Sequence, residues 1–85
     1  MQYLIMCRSL TNAQRSAALL ERKGIKASVI KAPQGLSTSG CGYALSLYRN
    51  FDDASSILKT NRLLSGKRFV RYDSGEYVEV RDDIS

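Results

Sequence analysis

The 85-residue chain has no histidine, one proline and only two cysteines. Without imidazole there is no His-based catalytic triad, no imidazole general base and no His-containing zinc site. Cys7 and Cys41 stand too far apart for a CxxC motif and are too few for a structural zinc site. What chemistry remains centres on sulfur, with no metal and no cofactor expected. Long hydrophobic runs are also missing: none approaches the roughly 20 residues that span a bilayer. The opening MQYLIMCRS carries no basic leader, and its apolar run is too short for a signal peptide. A cytoplasmic protein with reduced thiols is the expectation.

Hydrophobic residues make up 44% of the chain and charged residues 25%. That mixture supplies enough aliphatic surface to offset the ordering entropy, so a folded domain is expected rather than disorder. The length allows one core, read as a single domain over 1–80 with a frayed tail at 81–85. The net charge of +5 is unevenly placed. Through Gly66 there are nine basic and three acidic residues; from Lys67 onward there are four and five. The basic part suits solubility, and it also suits an anionic ligand or an acidic partner.

Hydrophobic periodicity then sets out the elements. Tyr3 to Cys7 is a short apolar run and reads as a buried strand. Ser9 and Thr11 offer capping hydroxyls for a helix over Thr11 to Lys23, in which Ala13, Ala17, Leu19 and Leu20 recur at helical spacing. Gly24 falls where a left-handed residue ends a helix. Ala27 to Lys31 is a second strand, ended by Pro33, and the stretch PQGLSTSGCG is a loop. Tyr43 to about Tyr48 alternates as a third strand. Asn50 or Asp52 caps a second helix with a stripe of Phe51, Ala54, Ile57 and Leu58, closed by Asn61. Lys67 to Tyr72 and Tyr77 to Val80 form a terminal hairpin that turns at Asp73 to Gly75.

The order β-α-β-β-α-β with an added strand predicts an α+β, ferredoxin-like sandwich with an extra C-terminal hairpin strand: an antiparallel sheet with both helices on one face. Tyr3, Ile5 and Cys7 then point opposite to Leu4 and Met6, and both sets are apolar. One set meets the helices. The other calls for a homodimer through the open sheet face, or for a lid formed by the last hairpin.

This topology has a chemical consequence. The first and third strands are central and antiparallel, so the end of one, at Cys7 and Arg8, lies beside the start of the other, at Cys41 and Gly42. The first helix opens at the same corner. A helix N-terminus and a guanidinium both favour a thiolate and lower the thiol's pKa from about 8.5. Ser37, Thr38 and Ser39 bring hydroxyls, while Gly40 and Gly42 let backbone N–H groups approach an anion. Cys41 therefore reads as the candidate reactive residue, against the plainer reading of a small hydrophobe at a strand start. Cys7 ends an apolar strand and reads first as core; within disulfide range of Cys41 it would serve as a resolving thiol.

The segment Ala32 to Leu47, APQGLSTSGCGYALSL, resembles the signature of the selenium/sulfur carrier-like family. Its marks are a proline-led loop, a Ser/Thr-rich stretch and a Cys-Gly pair entering a strand. Lys23, Gly24 and Ile25 are similar to the helix end that precedes it there. Where that pattern often has an arginine after the proline, this chain has Gln34. The resemblance implies a carrier, sulfurtransferase-like rather than a free-standing catalyst. It would hold sulfur or selenium as a persulfide or perselenide on Cys41 between donor and acceptor proteins.

Two other classes of function compete with a carrier. Ferredoxin-like sheets include RNA-binding domains that stack bases on aromatics, and Tyr3, Tyr43, Phe69 and Tyr72 lie on predicted strands, with Arg68 and Arg71 flanking two of them. The aromatic octamer of such domains is missing from the third strand, which reads YALSLY, so nucleic acid is not the favoured partner. A regulatory module binding a small anionic ligand, with Cys41 incidental, is the other alternative.

Overall fold

The computed structural model describes residues 1–33, 35–36, 42–64 and 67–80. Along the chain run β1 (Gln2–Cys7), α1 (Leu10–Arg22), β2 (Ser28–Lys31), β3 (Tyr43–Leu47), α2 (Phe51–Thr60), β4 (Arg68–Arg71) and β5 (Tyr77–Val80). They build a five-stranded sheet in the order β2-β3-β1-β4-β5, antiparallel at every pairing. The strand order and the two helices are compatible with a ferredoxin-like α+β fold, with β5 added outside β4 by the hairpin.

Each boundary has a local cause. Helix α1 starts at Leu10 rather than Thr11 because Ser9 is the cap: its backbone is extended and its Oγ accepts the Asn12 N–H at 3.1 Å. Its end is a Schellman motif. The Gly24 N–H reaches the Glu21 carbonyl at 3.0 Å and the Ile25 N–H reaches the Leu20 carbonyl at 2.8 Å, with Gly24 at φ 81°. Helix α2 ends the same way, through Arg62 to Lys59 at 3.1 Å and Leu63 to Leu58 at 2.8 Å. There the left-handed residue is Arg62, at φ 59°. Asn61 closes α2 as expected, and its Nδ2 donates to the Ile57 carbonyl at 2.7 Å. Asn50 takes the N-cap place of α2 in the left-handed conformation and makes no side-chain cap bond. In the hairpin, the Gly75 N–H donates to the Tyr72 carbonyl at 2.8 Å and the Tyr72 N–H to that of Glu76 at 2.9 Å.

The sheet has two apolar faces with separate cores. Ile5 and Cys7 of β1 and Leu45 and Leu47 of β3 pack with Ala13 and Leu20 of α1 and Phe51, Ala54 and Leu58 of α2. On the helix-free face, Leu4, Met6, Ala44 and Phe69 are buried, with Ile30, Ala32, Leu36 and Tyr77 against them. The cover on this second face comes from the chain itself: the start of the loop after β2 contributes Ala32 and Leu36, and the hairpin contributes Tyr77. Leu4 is fully buried without any second copy. A dimer is therefore not required to explain the pattern of alternating apolar residues in β1. No helix among the described residues is long and apolar enough to cross a membrane.

Candidate functional site

The corner expected to hold the reactive thiol is built from the ends of β1 and β3. In the antiparallel ladder Cys7 stands opposite Tyr43, which sets Arg8 and Gly42 as the next residues on the two strands. The Ala32 N–H donates to the Gly42 carbonyl at 2.8 Å, so β2 also stays bound to this end of the sheet one residue beyond the ladder. Ser9 follows Arg8 directly and caps α1. Arg8, Gly42 and the N-terminus of α1 thus share one end of the molecule, as the sequence implied.

Electrostatically this end favours an anion. The unpaired N–H groups of a helix's first turn carry a partial positive charge. In α1 no acidic residue sits in that turn to neutralise it, whereas α2 has Asp52 and Asp53 in its own. Arg8 is exposed and adds a full charge. At Gly42 an added Cβ would meet nothing within 4 Å among the described residues, and its φ is not in the left-handed region. No positive φ requires a glycine at this position.

Cys7 occupies a different environment. It is 3% exposed and belongs to the helix-side core, where its Sγ–H donates to the Ile5 carbonyl at 3.4 Å. Its placement fits the reading of a core residue at the end of an apolar strand. Of the remaining expected site residues, Ser37, Thr38, Ser39, Gly40 and Cys41 lie outside the described residues, as does Gln34. The loop is described at its start, where Gly35 has φ 88° and the Leu36 N–H donates to the Pro33 carbonyl at 3.3 Å. Leu36 then packs onto the helix-free core. Reading PQGLSTSGCG as a loop did not single out this anchor; the signal was a lone aliphatic among turn and hydroxyl residues.

The four aromatics considered as a base-stacking platform are divided between the faces. Tyr3 turns toward the helices and stacks on Phe51, with ring centroids 4.6 Å apart and planes 14° apart. The Arg68 guanidinium stands 5.5 Å from the centroid of that same Phe51 ring. Tyr43 lies against the helix-side core, Phe69 is buried on the opposite face and Tyr72 is exposed beyond β4. A stacking surface needs its rings side by side on one open face. These rings are not so arranged.

Comparison with known proteins gives one match. No curated protein and no solved structure matches the chain. A family model matches residues 2–67, from β1 to the threshold of β4, and so includes the capped end of α1, the loop after β2 and the Cys41-Gly42 pair. The match covers most of the 85 residues and leaves out the terminal hairpin; the chain belongs to the family described as Putative Se/S carrier protein-like.

Proposed function

We propose that the protein is a sulfur or selenium carrier that holds the transferred atom on Cys41. The observation that carries this reading is the family match, which runs through Cys41 and Gly42. Support comes from the neighbouring structure: Gly42 adjoins an end of the sheet where Arg8 and a helix N-terminus without acidic residues favour negative charge.

The step is a thiolate exchange. The Cys41 thiolate attacks the terminal sulfur of a donor persulfide, R–S–S⁻, and the donor's S–S bond breaks with its electron pair. Cys41–S–S⁻ forms and R–S⁻ leaves, with charge and electrons balanced. A donor perselenide, R–S–Se⁻, gives Cys41–S–Se⁻ in the same way. The product is an anion, for which Arg8, the hydroxyls of Ser37, Thr38 and Ser39 and the backbone N–H groups at Gly40 and Gly42 are the proposed stabilising groups. An acceptor protein then removes the terminal atom and regenerates the thiolate. The partners are a donor and an acceptor protein in a reducing, cytoplasmic setting, where the thiol stays reduced between deliveries.

Intact mass after exposure to a sulfane-sulfur donor tests the proposal. A gain of one sulfur atom is expected, reversed by reductant, kept in Cys7→Ser and lost in Cys41→Ser. Equal loading of wild type and Cys41→Ser would remove Cys41 as the carrier.

A further inference from the structure

At the far end of β3 from Gly42 is a cavity of about 480 Å³, lined by Gly24, Lys26, Ser28, Ser46, Tyr48, Arg49 and Asn50. Four strand steps separate Gly42 from Ser46, about 13 Å at roughly 3.3 Å per residue, and Tyr48 and Arg49 lie past the end of the strand. The volume is in the range of about 300–1,000 Å³ typical of small-molecule sites.

Its lining has one sign of charge. Among the described residues, Lys26 and Arg49 are the ionisable groups of the lining apart from the Tyr48 phenol, and no carboxylate lines it. Glu21, Asp52 and Asp53 line other cavities that share some of these residues. Polar groups suited to the oxygens of an anion line the same cavity. Ser46 is 7% exposed and its Oγ accepts the Gln2 Nε2–H at 2.7 Å, which uses a lone pair and leaves the O–H to donate. Ser28 is its cross-strand neighbour. Asn50 is a residue type that caps helices well, yet here it makes no side-chain bond to α2; it takes a left-handed backbone and lines the cavity instead. Tyr48 leaves β3 with 68% of its surface exposed, so a ring at the cavity wall is open to stacking.

We propose that this cavity binds a small phosphate monoester carrying a planar ring, with Lys26 and Arg49 on the phosphate and Tyr48 stacked on the ring. A guanidinium and an ammonium lining one cavity with hydroxyl donors suit a phosphate dianion. A planar group of nucleobase size makes use of the aromatic wall and of the volume that a phosphate alone would leave unfilled. The proposal rests on the described residues of this cavity and does not depend on the carrier reading.

Titration of the 15N-labelled full chain with AMP, with adenosine and with inorganic phosphate tests it. AMP is expected to give saturable shifts at residues 24–28 and 46–50 with millimolar or tighter affinity. Adenosine and phosphate should each bind at least tenfold more weakly, and Arg49→Gln should weaken AMP at least tenfold. Cys41→Ser should leave AMP binding unchanged, which separates this site from sulfur loading. Absence of saturable shifts with AMP, shifts centred elsewhere, or equal binding by Arg49→Gln would overturn the proposal.

Discussion

The two helix ends offer a matched test of backbone strain. Both close with the same pair of hydrogen bonds, but one places Gly24 and the other Arg62 in the left-handed region, at φ 81° and 59°. A residue with a Cβ is disfavoured there by roughly 1–2 kcal/mol. Removing glycine's extra freedom from the unfolded chain offsets about 0.4–1 kcal/mol of that. At Gly24 an added Cβ meets nothing within 4 Å among the described residues, so the expected effect is conformational. Gly24→Ala is therefore expected to destabilise by about 1 kcal/mol, and Arg62→Gly to stabilise by about as much through the same terms with the sign reversed. In a domain of this length each should move Tm by about 4–8 °C, in opposite directions. Urea unfolding followed by circular dichroism provides the measurement, with an unchanged m value showing that the midpoint shift reports stability rather than a change in the surface exposed on unfolding. A neutral Gly24→Ala, or an Arg62→Gly that lowers the midpoint, would refute the reasoning.

Three further outcomes follow from the packing and the cap. Leu45 is fully buried in the strand at the centre of the helix-side core, so Leu45→Ala should cost about 2–5 kcal/mol, read from the urea midpoint. Ser9→Ala removes the acceptor of the Asn12 N–H and should cost about 0.5–2 kcal/mol, with helix content at α1 checked by amide hydrogen exchange. The Tyr3–Phe51 stack should give a coupling of about 0.5–1.5 kcal/mol in a double-mutant cycle with leucine at each position; a coupling near zero would mean the rings contribute only buried area.

Periodicity and punctuation residues made the elements legible. Apolar spacing marked both helices, Gly24 marked the end of α1, and the Asp73 to Gly75 turn marked the hairpin. These signals are local, since capping, glycine's left-handed freedom and alternation act within a few residues. The strand order also follows from element order, which leaves few unstrained antiparallel arrangements. The Cys-Gly motif was likewise readable, because a short pattern of residues survives without knowledge of its surroundings.

Other features depended on distance between residues far apart in the chain. Two apolar faces on β1 could not say what covers the second one; only the folded chain shows Leu36 and Tyr77 laid against Leu4 and Met6. Asn50 looked like an ordinary cap until its left-handed backbone turned it from that role. The cavity between the start of β2 and the end of β3 joins residues about twenty positions apart, and no spacing rule links Lys26 to Arg49. Composition and local pattern determined the elements and the candidate thiol. Tertiary structure decided which face each side chain meets, because burial and charge convergence are properties of the packed chain.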